Sequence, residues 1–324
     1  MLDNGIKKVI DGEKRELILV PKELEEVPEE YKDSIVIRTP VEHAVFLSST
    51  QACFFRAVDR PDLIDHIAGI SDGDWTEIEG IDKAMKDGKI QQVSSGMGEV
   101  DYELLQSLNP DIVFVYTGTS PQTTQIAKFE ELGINYAVDN EYMEKDYMSR
   151  MEWMRFVLTF FNADEDVNKV MENAQKTVNE AKAAIAGKEQ PKVAIFSVSN
   201  GSVYATSDES WLGSMVKDMG GVNVFSGMPA GAITAEAAFD AVQDADVIIY
   251  SSTPEWCNGM EGIKENFPLI TDCKAYENDN IYQYDNSFWM GIDKTEVMAS
   301  EMASVFYPEA LSKDAMEFFI KVTK

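Results

Sequence analysis

Histidine and cysteine are nearly absent: His43 and His66, with Cys53, Cys257 and Cys273, are all that 324 residues contain. Metal centres and imidazole or thiol catalysis draw on those two residue types, so such chemistry has little to be built from. The cysteines show no C-x-x-C spacing and are too few for a disulfide scaffold; one Cys257–Cys273 bridge and buried free thiols both remain open. Each histidine lies beside an expected strand and reads as a packing or surface residue. Cys53 follows a strand in "SSTQACFF" with no histidine near it in sequence, which fits a buried thiol better than a nucleophile.

Positive charge is scarce too. Against 57 acidic residues stand 28 basic ones, for a formal net charge of −29, which repels a phosphate backbone or an anionic bilayer. The longest basic cluster, Lys7 and Lys8 with Lys14 and Arg15, is too small for a nucleic-acid footprint, and no nucleic-acid partner is expected. The acidity reads as solvated faces on an extracellular or salt-adapted protein. No stretch approaches the roughly 18 apolar residues a membrane span needs. The opening "MLDNGIKKVIDGEK" is too polar for a secretory signal, so the chain is either cytoplasmic or an exported protein without its signal.

Phosphate-binding and hydrolase signatures are missing. "SSGMGEVD" carries Gly96 and Gly98 before a helix, but the third glycine of a dinucleotide loop is replaced by Asp101, which would oppose a pyrophosphate. There is no G-x-x-x-x-G-K-[ST], G-x-S-x-G or H-E-x-x-H. The expectation is a protein with no catalytic residues, no cofactor and no metal site of its own, which favours binding over reaction.

What is present is a repetition. "DIVFVYTGTSP" from Asp111 is echoed by "DVIIYSSTP" from Asp246, and each follows a helical stretch carrying a glutamate, "VDYELLQSLNP" and "AEAAFDAVQDA". With 324 residues and a 44% apolar share, two cores are the default. The opening reads as a hairpin, "IKKVI" and "ELILV" about a turn at Asp11 and Gly12. From Ile35 short apolar runs alternate with amphipathic helices, the βαβ pattern of a mainly parallel sheet. Strands are expected at "IVIR", "AVFLS", "HIAGI", "IVFVY" and "NYAVD", then at "KVAIFSV", "SVYAT", "VIIYS" and "IYQYD". Between the sets, apolar residues from Val167 to Ile185 recur at helical spacing and Gly187 follows as a stop. That helix, over 164–186, would be about 34 Å long and could be a strut or an ordinary surface helix.

The expected class is therefore α/β, with two Rossmann-like lobes and a ligand cleft between them; whether one long rigid α-helix joins the lobes is left open by the periodicity. The expected division is 1–40 for the hairpin and its connector packing on lobe 1, 41–142 for lobe 1, 143–190 for the interlobe helical segment, 191–290 for lobe 2, and 291–324 for C-terminal helices. Ligands bind beyond the carboxyl ends of parallel strands, so the candidates are Ser49 and Arg56 after the first lobe strand, Met97, and Tyr116 with Thr117 after "IVFV". In the second lobe they are Asn200, and aromatic side chains supply the rest: Trp75, Trp211, Trp256, Phe288 and Trp289, whose rings suit a large flat ligand.

In order, these pieces resemble the substrate-binding proteins of ABC importers for iron-siderophore, haem and cobalamin-type chelates. The carrying stretches are "HAVFLSSTQACFF", "VSSGMGEVDYELLQSLNPDIVFVY", "ADEDVNKVMENAQKTVNEAKAAI", "WLGSMVKDMGGVNVF" and "ITAEAAFDAVQDADVIIY". The resemblance implies two lobes joined by one long helix and favours the strut. It implies a monomer that binds a small metal chelate and docks on ABC transporter permease subunits through one acidic residue per lobe, at Glu103 and Glu236 by motif position. It also implies an extracytoplasmic protein, in the periplasm or on the cell surface as a membrane-anchored lipoprotein, with its signal removed. The six arginines are Arg15, Arg38, Arg56, Arg60, Arg150 and Arg155, none assigned to the second lobe, which leans the expected ligand toward a neutral or cationic hydroxamate chelate or corrinoid over an anionic catecholate, with haem through a tyrosine not excluded. The alternatives are an enzyme on a related two-lobe scaffold, a tetrapyrrole metal chelatase or nitrogenase-like subunit, and a solute-binding domain used as a sensor.

Overall fold

The apolar segments "KKVI" and "ELILVP" form, in the computed structural model, β1 (Lys7–Ile10) and β2 (Glu16–Pro21), paired antiparallel with Lys7 opposite Leu19. The structure describes residues 3–76, 78–94, 99–118, 120–228, 231–311 and 315–324. One expectation is corrected at once: β3 (Ile35–Thr39) does not open the lobe's βαβ series but lies parallel to β2, giving a small sheet β1-β2-β3. The acidic connector after Pro21 is long enough to return the chain along β2, where Ile37 and Thr39 become buried.

By chain contacts the protein divides into two units, Met1–Glu141 with Met151–Met171, and Tyr142–Arg150 with Glu172–Lys324. The main sheet of unit 1 has five strands, β4 (Ala44–Phe46), β5 (Ile67–Ser71), β6 (Gln91–Ser94), β7 (Ile112–Val115) and β8 (Tyr136–Val138). All pair in parallel in the order β6-β5-β4-β7-β8. The helices between them are α1 (Ser49–Ala57), α2 (Glu79–Lys86), α3 (Tyr102–Ser107) and α4 (Ser120–Leu132). This is doubly wound order, with the chain reversing direction across the sheet between β4 and β7. β7 is buried at all four positions, which is why it reads as an uninterrupted apolar run. β6 is an edge strand whose "QQVS" is too polar to signal itself.

In unit 2 the sheet is mixed. β9 (Lys192–Ser199), β11 (Val222–Asn223), β13 (Val247–Tyr250) and β14 (Ile281–Tyr284) are parallel, whereas β10 (Ser202–Ala205), β12 (Ala232–Ile233) and β15 (Phe319–Lys321) are antiparallel additions. Helices α5 (Tyr147–Thr159) and α6 (Asp164–Ile185) each have residues in both units, and α7 (Trp211–Asp218), α8 (Ala235–Val242), α9 (Gly259–Asn266), α10 (Lys274–Glu277) and α11 (Thr295–Phe306) follow. The C-terminal segment, expected as helices, ends in β15: Glu301, buried on α11, accepts the Glu317 and Phe318 amides at 2.8 and 2.9 Å and so seats the last strand against β14.

The repeated phrases acquire a structural meaning. Asp111 Oδ2 accepts the amides of Glu42 and His43 at 2.8 and 3.0 Å, pinning the start of β7 to the start of β4. Asp246 does the same for β13 and β9, accepting the Lys192 amide at 2.8 Å. Asn135, before β8, and Asn280, before β14, then donate to the carbonyls of Asp111 and Asp246 at 3.5 and 2.7 Å. Beyond these strands, Asp139 accepts from the Glu141 amide and Asp285 from the Ser287 amide, at 3.1 and 3.0 Å. The aspartates of the phrase thus serve the amino ends of the strands, and the hydroxyl residues after it lie at the carboxyl ends.

The long helix is present as expected, without interruption over Asp164–Ile185, about 33 Å by rise. It is not alone in joining the units: α5 divides at 150/151 and α6 at 171/172. At the start of α6, Asp164 takes Lys7 Nζ at 2.6 Å and the Thr159 hydroxyl at 2.6 Å, tying β1 to the helix. Burial opposes ionisation of Asp164, but these donors outweigh it and hold its carboxyl below the ordinary 3.8. Asp246 is likewise depressed, its burial outweighed by Lys274 and the Lys192 amide. A carboxyl depressed by folding contributes stability that is complete above its unfolded pKa and is lost as pH falls through the folded one. Asp164→Asn and Asp246→Asn are therefore expected to be less stable than wild type at pH 7 and to converge with it in acid, once the pH has fallen through the depressed pKa of the folded carboxyl. Urea unfolding at pH 7 and in acid checks this, and a deficit that persists in acid would contradict it.

Candidate ligand-binding site

At the carboxyl end of β4 the chain enters α1 through Ser48, whose hydroxyl lies 2.8 Å from that of Thr50, while Ser49 is buried and Arg56 is half-buried further along the helix. At the carboxyl end of β7, Tyr116 is half-buried and Thr117 buried. Leu47 donates to Phe114 O at 3.0 Å, so the turns after β4 and β7 sit side by side at the point where the strand order reverses. Trp75, beyond β5, is 44% exposed. Met97 lies outside the described residues.

Thr117 belongs to a network that sequence reasoning missed. Its amide donates to Asn140 Oδ1 at 2.9 Å, Asn140 Nδ2 donates to its hydroxyl at 2.8 Å, and that hydroxyl donates to Glu13 Oε1 at 2.6 Å. Glu13 comes from the tip of the β1–β2 hairpin. Gly12 beside it donates to Val138 O at 2.8 Å, and a Cβ on Gly12 would come within 2.8 Å of Asn140 Nδ2. The neighbouring Asp11 is buried in a pair with Arg15 at 2.6 Å, and the Arg15 guanidinium covers the Tyr136 ring at 3.6 Å. Burial, with the Glu130 hydrogen bond, pushes the Tyr136 phenol up to about 12. The only sequence signal was the turn at Asp11 and Gly12; its partner lies more than a hundred residues away.

In unit 2 the turns after β13 and β14 carry two exposed indoles, Trp256 at 75% and Trp289 at 47%. Phe288, grouped with them in the sequence, is instead a core residue at 1% exposure: its ring stacks on Tyr284 at 3.5 Å between centroids. Trp211 is half-buried at the start of α7, and the Arg150 guanidinium lies 4.3 Å from its ring. Arg150 corrects the arginine count, because it packs with unit 2. Asn200 is exposed in the tight β9–β10 turn with φ 51°. The structure thus gathers Ser49 and Thr117 at one edge of unit 1, and Trp256 and Trp289 on turns of unit 2, and removes Phe288 from the surface.

Comparison with known proteins decides the family. The family model described as periplasmic binding protein matches residues 47–288. The chain belongs to the periplasmic binding protein family. An uncharacterized lipoprotein of Methanocaldococcus jannaschii is 28% identical across 97% of this chain and 78% of its own length. Among solved structures, Helicobacter pylori CeuE with Ni(II) bound is 19% identical, with a TM-score of 0.66 over 94% of this chain and 90% of that one. A periplasmic heme binding protein from Pseudomonas aeruginosa is 13% identical, with a TM-score of 0.65 over 87% and 98%. At such identities the likeness shows a shared fold, the two-lobed α/β architecture of substrate-binding proteins.

Other features of this periplasmic binding protein bear on chemistry. All three cysteines are buried and none is in a disulfide, so the Cys257–Cys273 bridge is not formed, and burial pushes Cys273 up to about 11, away from nucleophilic reactivity. His43 and His66 stand at the amino ends of β4 and β5, the edge opposite the turns above. Among the described residues no cluster of three or more His, Cys, Asp or Glu side chains could hold a metal ion, and no helix is long and apolar enough to cross a membrane. Glu103 and Glu236 are both exposed and occupy the same place, two residues after the helix caps Asp101 and Thr234, which accept the Leu104 and Ala237 amides at 2.9 and 3.2 Å. A glutamate there also favours the positive end of its helix.

Proposed function

We propose that this protein captures a metal chelate with a large flat organic ligand, of the tetrapyrrole type, outside the cytoplasm and delivers it to an ABC permease without catalysing a reaction. The observation that carries this reading is the exposure of Trp75, Trp256 and Trp289 on turns beyond β5, β13 and β14. An indole is a large apolar surface that a soluble domain normally covers. Each unit leaves indole surface uncovered on turns at the carboxyl end of its own sheet, where open α/β sheets bind ligands, and such rings suit a flat conjugated partner. Arg150 beside Trp211 weakens the charge argument for a neutral or cationic ligand, since unit 2 does carry a guanidinium. The arginine count therefore no longer speaks against haem-type chelates with their carboxylates. Structural neighbours named as heme-binding proteins support this reading, and the lipoprotein relative supports a membrane-anchored surface location. The chelatase alternative is disfavoured because both histidines stand at the amino ends of their strands in unit 1, away from that unit's carboxyl-end turns.

Titration of the purified protein with haemin, cobinamide and ferric hydroxamates, followed by visible absorbance and tryptophan quenching, tests the assignment. Saturable binding of a tetrapyrrole is expected; no response to any of them would end the chelate reading. Delivery is tested separately. Glu103 and Glu236 are proposed to pair with permease arginines, and since an exposed pair contributes only about 0.2–1 kcal/mol, charge reversal is the informative change. Glu103→Lys with Glu236→Lys is expected to abolish co-sedimentation with permease-bearing membranes while leaving chelate affinity unchanged. Undiminished co-sedimentation would remove both residues from the dock.

A further inference from the structure

We propose that the N-terminal hairpin is a clamp on the ligand-reading turn after β7, and that Glu13 at its tip sets the charge which that turn presents to the ligand. The inference rests on the reading of the carboxyl-end turns as the ligand site. It concerns an element outside the family match, which begins at residue 47.

The hairpin reaches this edge of unit 1 by fixed bonds. Asp11, 4% exposed, is an anchor: its carboxylate accepts the Val138 amide at 3.2 Å, the Arg15 amide at 2.9 Å and the Arg15 guanidinium at 2.6 and 2.9 Å. Arg15 in turn donates to Tyr136 O at 2.8 Å. From this base Glu13 extends to the Thr117 hydroxyl, whose backbone is already held by Asn140. Glu13 itself is exposed, so its carboxylate is at once a strut for the turn and a negative charge on the surface where a ligand arrives. The corresponding turn of unit 2 is closed differently, by the Ser252 amide donating to Tyr250 O at 2.8 Å. The clamp therefore gives unit 1 an acidic ligand edge that the sheet alone would not supply.

Two readouts separate the parts. Haemin and its diester share one ring and differ by two carboxylates. Glu13→Gln keeps the acceptor for Thr117 and removes the charge, and is expected to tighten haemin relative to the diester by roughly five- to twentyfold at low salt, with the difference shrinking as salt rises. An equal shift for both, or none, would overturn the charge role. Hydrogen exchange on the ligand-free protein reads the clamp. Glu13→Ala is expected to speed exchange of the Thr117 amide at least fivefold, whereas Glu13→Gln leaves it at the wild-type rate. Identical exchange in all three proteins would overturn the clamp. Since Asp11 carries the anchor, the unfolding midpoint should be the same in each, so neither readout reports a misfolded variant. Were wild type to bind neither probe, the tetrapyrrole reading and the charge role would both fail, and exchange would still decide the clamp.

Discussion

Gly220→Ala is expected to destabilise the protein by about 2–4 kcal/mol, well beyond what the loss of a helix stop alone would cost. Gly220 ends α7 at φ 77°, where its amide donates to Lys217 O at 3.1 Å and the next amide, of Gly221, returns to Val216 O at 2.8 Å. An L side chain in that conformation costs about 1–2 kcal/mol. Alanine here also meets a wall, because its Cβ would stand 2.7 Å from Tyr307 Oη and 3.2 Å from Ile185 Cδ1. The tyrosine cannot easily retreat, since its hydroxyl donates to Gly220 O at 2.8 Å. The control is Gly187→Ala: Gly187 follows α6 at φ 76° with nothing within 4 Å of the added methyl. It should show only the conformational part. Urea unfolding of the two variants measures the difference, and equal losses would mean that the contact with Tyr307 is harmless. The same geometry explains why "GGVN" stands in the sequence, because Gly221 is closed in by Phe306 and Val193, 2.8 and 2.9 Å from a notional Cβ.

How much of this was legible beforehand depends on the range of the interactions. The parallel strands of both units announce themselves because burial on both faces demands unbroken apolar runs, as in "IVFV" and "VIIY". The repetition around Asp111 and Asp246 was visible as text, but its cause was not: the partners, Glu42 and His43 in one case and Lys192 in the other, lie 54 or more residues away. β3 was misplaced because a strand's pattern states that it pairs, not with what. Polar or very short edges such as β6, β11 and β12 carry no periodicity to read. In the site, Thr117 could be picked from its position after a strand, whereas Glu13 and Asn140 could not, since only the folded chain brings a hairpin tip to that turn. Arg150 was counted with the wrong unit because it precedes the long helix in sequence yet packs with Trp211.

The neighbours Phe288 and Trp289 show the difference between a residue that builds the site and one that serves it, and they yield the largest effect expected on binding. Both belong to "NSFWM" after β14, in a short helical turn capped by Asp285, which accepts the Ser287 amide at 3.0 Å. That turn drives Phe288 into the core, 1% exposed against Tyr284 and Phe319, and leaves Trp289 edge-on to Tyr284 and Phe288 with 47% of its surface open. Trp256 is more open still, at 75%. Covering such a ring with a flat ligand stabilises the complex by about 1.5–3 kcal/mol. Trp289→Ala and Trp256→Ala are therefore each expected to weaken chelate binding by about 10- to 100-fold, at 1.4 kcal/mol per decade. Trp256→Ala should change the unfolding midpoint little, because most of that residue is exposed, whereas Trp289→Ala, about half covered against Tyr284 and Phe288, should lower it modestly. Phe288→Leu should do the opposite, costing about 1–3 kcal/mol of stability while affinity moves less than about threefold. Titration by visible absorbance, paired with urea unfolding of each variant, reads both quantities. If Phe288→Leu weakened binding as much as the indole variants did, or if the indole variants bound like wild type, the exposed rings would not be the ligand's platform.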